Sequence, residues 1–146
     1  MKVEVVSTLP KLSESRVPTF ATELAAAVDL RAAECVTINP DRVFKMGTGV
    51  SIAMPEGMAA VILPRSSTGT NGLWLANTVG LIDPDYRGQI FLALWNRSDK
   101  PIKILEGDRV AQMMFLPFIR PELCLVDKFT TETARGAGGF GSTGDK

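Results

Sequence analysis

The chain has 146 residues, 45% of them hydrophobic and 22% charged, a composition typical of a soluble globular protein with length enough for one ordinary core. Lysine plus arginine and aspartate plus glutamate number 16 each, so no global field draws nucleic acid and any polyanion must be held by local groups. Histidine is absent, which excludes Ser-His-Asp and Cys-His triads and leaves acid–base chemistry to carboxylates, lysine, tyrosine or bound water.

The opening Met1-Lys2-Val3-Glu4-Val5-Val6 lacks the apolar core of a signal peptide, and no run reaches membrane-spanning length. A cytoplasmic protein with no membrane partner is expected. Short segments follow between glycine and proline breaks. Strands are predicted over Lys2–Val6, Val50–Met54, Ala60–Leu63, Phe91–Trp95, Pro101–Leu105 and Val110–Leu116, a spacing that suits a β-sandwich or barrel. Phe91–Trp95 and Val110–Leu116 are continuous apolar runs and read as strands buried on both faces. Thr22–Glu34 is alanine-rich, and intrinsic propensity alone makes it a helix. A short helix is expected within Ser67–Gly72. Cys35 and Cys124 form no CxxC pair and are expected to be buried, reduced thiols. No repeat or linker divides the chain, so one domain over 1–146 is expected, ending from about Ala134 in a glycine-rich flexible arm.

The most informative stretch is Asn77–Ile90. It reads as an extended segment, a tight turn whose φ is set by Pro84, and a second extended segment, a hairpin with Asp83 and Tyr86 at its mouth. Gly80 and Gly88 permit close backbone approach on either side. A carboxylate and a phenol three residues apart suit a sugar and a water; an ordinary turn with a surface aspartate fits the stretch equally well.

Gly80-Leu81-Ile82-Asp83-Pro84-Asp85-Tyr86-Arg87-Gly88 resembles the third signature motif of the trimeric deoxyuridine triphosphate nucleotidohydrolases, the dUTPases. Four further stretches resemble the other motifs, in order, between Ala26 and Gly144: Ala26–Ala32, Pro64–Ser67, Gly107–Met113 and Arg135–Gly144. The resemblance implies a mostly β fold, a distorted jelly-roll barrel with one short helix, a mobile C-terminal arm, and an extended rather than helical Thr22–Glu34. It also implies a homotrimer whose active sites are each shared by three subunits, dUTP as the small-molecule substrate, and Mg²⁺ as cofactor.

Residue roles follow from the same resemblance. Asp29 holds the magnesium through water. Arg65, Ser66 and Ser67 take the phosphate chain, and Gln112 adds an amide there. Asn77 and the backbone around Gly80 and Ile82 read the uracil edge. Asp83 orients the attacking water, and the Tyr86 ring packs on the deoxyribose and disfavours a 2′-hydroxyl. Arg135, Gly138, Gly139, Gly141 and Ser142 wrap phosphate oxygens, while Phe140 stacks on the base. Arg109 is either structural or helps the arm dock, the structural role being favoured, and Met113, Met114 and Phe115 are assigned to core or subunit interface. Two positions depart from the family pattern: Ala27 stands where glycine is usual, and Thr68 where a hydrophobic residue is more common.

The related dCTP deaminases share fold and hairpin but carry a catalytic glutamate in the following strand. The corresponding position here is Ala93, which cannot shuttle protons. A binding or regulatory protein with a degraded site is the remaining alternative, and Asp29, Arg65, Asp83, Tyr86, Gln112 and Phe140 are all present against it.

Overall fold

The computed structural model describes residues 2–10 and 17–139. The chain runs through β1 (Glu4–Ser7), β2 (Val28–Arg31), β3 (Val36–Ile38), β4 (Val43–Gly47), β5 (Val50–Ala53) and β6 (Met58–Leu63). The helix α1 (Ser66–Thr70) follows, then β7 (Leu73–Leu75), β8 (Gly80–Ile82), β9 (Phe91–Asn96), β10 (Ile102–Ile104) and β11 (Arg109–Pro117). The strands form a four-stranded sheet in the order β2-β11-β6-β8, a three-stranded sheet β4-β9-β7, and the pairs β1-β5 and β10-β3. All pairings are antiparallel. This mostly β, jelly-roll-like architecture with one short helix is the one the resemblance implies. No helix among the described residues is long and apolar enough to cross a membrane.

Alternation decides which side chains meet. Leu30 of β2, Met46 of β4, Leu92 and Leu94 of β9 and Met113 of β11 are almost completely buried and, with Ile90, form the centre of the core. Each such side chain contributes roughly 1.5–3 kcal/mol through loss of apolar surface to water. Of the buried polar side chains among the described residues, Thr48, Ser51 and Asn96, the last is the most enclosed. Asn96 is 0% exposed; its amide donates to the carbonyls of Ile38 and Lys100, each at 2.8 Å, and its oxygen accepts the Ser98 N–H at 2.9 Å and hydroxyl at 2.7 Å. The end of β9 is thereby tied to β3 and to the loop leading into β10.

Several expectations need correcting. Phe91–Trp95 is not buried on both faces: Leu92 and Leu94 face the core, whereas Phe91 is 42% exposed, with Lys45 Nζ 4.2 Å above its ring. A run of apolar residues conceals this alternation because hydropathy cannot distinguish the two faces. Strands β8 and β9 do not pair as a hairpin, since β8 joins β6 while β9 joins β4 and β7. The Pro84 turn therefore carries the chain from one sheet to another. Both cysteines are exposed. Cys35 lies between β2 and β3, where its sulfur accepts the Glu106 N–H at 3.3 Å, and Cys124 lies in the strandless stretch after β11. Thr22–Glu34 contains no helix; Val28–Arg31 is a strand because β11 pairs along it, and sheet pairing outweighs alanine propensity.

Asn96→Ala is expected to cost about 2–4 kcal/mol, because it strands the Ile38 carbonyl and the Ser98 N–H, whereas the Lys100 carbonyl keeps the Ser98 hydroxyl at 2.9 Å. Urea unfolding measures this; a loss below about 1 kcal/mol would show that water replaces the amide without penalty.

Candidate active site

The four-stranded sheet gathers three separated stretches of sequence. Gln112 on β11 stands opposite Asp29 on β2 and, on its other side, opposite Leu63 on β6. Residues directly opposite in an antiparallel sheet project to the same face, so Asp29, Gln112 and Leu63 form one row across three strands. Just beyond Leu63, the chain turns through Pro64 and Arg65 into α1. The Gln112 side-chain amide secures that turn by donating to the Pro64 carbonyl at 2.9 Å.

Arg109 would face away from this row if β11 were regular, because it lies an odd number of residues from Gln112. The register with β2 shifts between Arg109 and Ala111, and Val110 and Ala111 are both buried. Such a bulge resets the alternation. Arg109 is thereby brought to the Asp29 side, where its Nη1 lies 3.1 Å from Asp29 Oδ2. Arg65 Nε lies 2.8 Å from Asp29 Oδ1. One carboxylate thus orients two guanidiniums. Arg65 Nη1 also donates to the Ser67 hydroxyl and the Arg109 carbonyl, each at 3.3 Å, whereas Nη2 has no protein partner among the described residues. A cavity of about 500 Å³ opens over this group, with Asp29, Arg65, Ser66, Ser67, Arg109 and Gln112 in its wall. Its polar wall holds two arginines against one carboxylate, an arrangement suited to an anion.

Asp83 and Tyr86 are elsewhere. Ile82 pairs with Ala60 on β6, so Asp83 lies level with Ala59, near the opposite end of the strand from Arg65. The six residues from Ala59 to Arg65 correspond to about 20 Å of extended chain. Asp83, Ile82 and Tyr86 line a second cavity of about 290 Å³ together with Lys45, Ile90 and Phe91. The turn is braced: Tyr86 N–H donates to the Asp83 carbonyl at 3.2 Å, and Arg87 Nη1 to the Pro84 carbonyl at 2.5 Å. The Tyr86 ring folds over Gly88, where any Cβ would overlap the phenol, with Cζ 2.6 Å away. A side chain at Gly88 would therefore displace the ring from this position. Asn77 and Gly80 lie next to each other at the start of β8, outside the walls of both cavities.

The dUTPase family model matches residues 13–144. The deoxyuridine 5′-triphosphate nucleotidohydrolase of Histophilus somni (strain 2336) is 46% identical over 150 residues, covering 99% of each chain. The chain belongs to the dUTPase family. Among solved structures, a mutant dUTPase of Staphylococcus bacteriophage 80alpha with dUpNHpp has a TM-score of 0.86 at 26% identity, covering 98% of both chains. A mutant dUTPase of phage phi11 of S. aureus, solved with a structural Mg(II) ion, shares the fold with a TM-score of 0.80 at 24% identity, covering 90% of this chain and 100% of its own.

Of the dUTPase motifs, the first, second and fourth converge in the larger cavity and the third forms the smaller one. Arg135 Nε donates to the Gly138 carbonyl at 2.8 Å, closing a local turn, and Arg135, Gly138 and Gly139 contribute to neither cavity wall. Phe140, Gly141 and Ser142 lie outside the described residues. Three residues have features that the sequence does not display. Arg109 pairs with Asp29 only because of the bulge, which leaves no mark in composition. Met114, assigned to core or interface, lines the larger cavity. Thr78 adopts φ 61°, in the left-handed region costly to a β-branched residue, where a glycine signal would have been sought. Among the described residues no group of three or more carboxylate or thiol side chains is placed to hold a metal ion.

Asp29→Asn is expected to lower stability by about 1–3 kcal/mol, because it leaves two guanidiniums without their shared anion in a site where Asp29 is 14% exposed. Arg109→Met, at a side chain 46% exposed, should cost under about 1 kcal/mol. Because Asp29→Asn removes both pairs and Arg109→Met only one, equal losses in urea unfolding would show that the Arg65 pair adds nothing to stability.

Proposed function

We propose that the chain hydrolyses dUTP to dUMP and pyrophosphate, limiting uracil incorporation into DNA and supplying dUMP for dTMP synthesis. The observation that carries this reading is the convergence of Asp29, Arg65, Ser67 and Gln112 in one cavity, an anion site built from three of the family's motifs. The phage 80alpha relative, solved with dUpNHpp, supports a deoxyuridine nucleotide as its occupant.

Water held by Asp83 attacks the α-phosphorus in line. The new P–O bond forms as the bond to the bridging oxygen of the β-phosphate breaks, the water proton passes to Asp83, and pyrophosphate leaves. Arg65, Gln112 and the hydroxyls of Ser66 and Ser67 meet charge developing on the departing oxygens. Asn77 and the main chain at Gly80 and Ile82 read uracil. Cytosine, with a donor where uracil has an acceptor, leaves buried groups mismatched. Arg135, Gly138 and Gly139, continued by Phe140, Gly141 and Ser142, close the phosphates from water.

The donor set fits Mg²⁺ that keeps its water and coordinates phosphate oxygens, since the ion needs no protein cage. Each Asp29 oxygen takes a hydrogen bond from one guanidinium, and a carboxylate has about four lone-pair sites, which leaves acceptors for metal-bound water. When bound, the ion supplies charge neutralisation along the triphosphate.

A general base must come within hydrogen-bond reach of its water, and the length of β6 separates Asp83 from Arg65. This separation supports a homotrimer in which the turn of one copy, the anion cavity of a second and the C-terminal arm of a third complete each site. Ala93 supports hydrolysis over deamination, as its methyl group cannot carry a proton.

Pyrophosphate release from dUTP, dCTP, dTTP and UTP, with Mg²⁺ or EDTA, tests the reading. Metal-dependent release from dUTP alone is expected; conversion of dCTP to dUTP would point to a deaminase, and silence with all four to a binding protein. Asp83→Asn should retain nucleotide binding and lose roughly 10²–10⁴-fold in kcat. Undiminished turnover would remove Asp83 from the base role. Removing the chain after Arg135 should slow turnover sharply while the trimer persists in sedimentation.

A further inference from the structure

Tyr86 is held from outside its own turn. Its phenol donates to the Gln89 carbonyl at 2.8 Å, so the ring follows the position of that peptide. The half-buried Gln89 side chain fixes the peptide in turn: Oε1 accepts the Thr8 hydroxyl at 2.6 Å and the Gly49 N–H at 3.1 Å. Both partners are remote in sequence. Thr8 follows β1, and Gly49 lies in the turn between β4 and β5.

The two partners are also joined to each other, the Thr8 N–H donating to the Gly49 carbonyl at 2.9 Å. Gly49 has φ +73°, and a Cβ there would lie 2.6 Å from Leu9 Cδ1. Glycine is thus needed for the N–H to face Gln89. The next residue is secured as well: Ile90 N–H donates to the Val50 carbonyl at 2.9 Å, and the Ile90 carbonyl accepts the Thr48 hydroxyl at 2.9 Å.

Steric refusal of one added hydroxyl is weak unless the wall that refuses it cannot retreat. The Tyr86 ring is 41% exposed, so solvent does little to confine it. The Gln89 anchor supplies the missing constraint. We propose that Gln89, latched by Thr8 and Gly49, is a positioning residue that sets how closely Tyr86 approaches the sugar and hence how strongly a ribonucleotide is refused. This rests on the reading of Tyr86 as the sugar contact.

The test is kcat and KM for dUTP and for UTP in the full-length protein and in Gln89→Leu, Gln89→Glu, Thr8→Val and Tyr86→Ala. Gln89→Leu should lower the dUTP-over-UTP ratio of kcat/KM by roughly tenfold and Thr8→Val by roughly threefold, through KM rather than through kcat for dUTP. Gln89→Glu keeps an acceptor for both bonds and should restore the ratio. Combined with Tyr86→Ala, Gln89→Leu should change the ratio no further, whereas general damage to the fold would add to it. A ratio that falls in Tyr86→Ala but not in Gln89→Leu or Thr8→Val overturns the positioning role and leaves the sugar contact standing. A ratio unmoved even in Tyr86→Ala overturns both. Should Gln89→Leu fail to fold, Thr8→Val, at an exposed position, decides alone.

Discussion

Gln112 faces Asp29 across one strand boundary and Leu63 across the other, and the rest of the anion site depends on this row. The register that creates it is set by the core rather than by the polar residues. Val28, Leu30, Ala60, Ile62, Ala111 and Met113 are all buried, so a slip of one residue on any of the three strands would expose part of the core and turn the polar row inward. Hydrophobic packing thus positions the charged groups. The bulge at Val110 is the one local exception, and it adds Arg109 to the Asp29 carboxylate without disturbing the register from Gln112 onward.

The charge arrangement compensates for what the whole chain lacks. With 16 basic and 16 acidic residues, attraction of a triphosphate cannot come from net charge. On the proposed reading it comes from local groups around Arg65, one of two arginines that share the Asp29 carboxylate at 2.8 and 3.1 Å. A carboxylate so placed costs some attraction for an anion, yet it fixes where the guanidiniums stand before any ligand arrives, which reduces the ordering needed on binding. Preorganisation and raw attraction oppose each other here, and Arg65 serves both. Its Nε and Nη1 are engaged with protein, while Nη2 has no partner among the described residues.

What was legible in the sequence and what was not differ in physical kind. The Pro84 turn, the contact demand at Gly88, the helix after Arg65 and most strand positions follow from local chemistry: fixed φ, a missing Cβ, alternation between punctuating glycines and prolines. The grouping of Asp29, Arg65 and Gln112 came from ordered motifs, since nothing in the spacing of residues 29, 65 and 112 fixes which strands become neighbours. The misses were tertiary. Whether Phe91 faces core or solvent, whether β8 pairs with β9, and whether Cys35 is covered all depend on which sheet a strand joins. Local hydropathy holds no record of that choice. The structural role favoured for Arg109 is consistent with its Asp29 pair, but the bulge that brings it there leaves no local mark, and the strain at Thr78 is one that a β-branched residue gives no reason to expect.

On the proposed reading, two modes of recognition are built from different materials. The anion side uses long side chains oriented by ion pairs, which tolerate small displacements because charge attraction falls off gradually with distance. The side containing Asp83 and Tyr86, proposed to meet water and sugar, uses a short turn braced by main chain, by the Arg87 side chain and by the Tyr86 bond to Gln89; discrimination by shape and hydrogen-bond pattern fails when the wall yields. Thr78 belongs to the second mode. Its left-handed backbone costs on the order of 1–3 kcal/mol. Opposing that strain are a Thr78 N–H bond to the Leu75 carbonyl at 3.0 Å and a hydroxyl bond to the Asn77 carbonyl at 2.6 Å. Strain held in place by hydrogen bonds fixes the backbone on which Asn77 is mounted, just as the Gln89 anchor fixes Tyr86. Rigidity is concentrated in the elements assigned to base and sugar, where a shift of a fraction of an ångström would cost selectivity before it cost affinity.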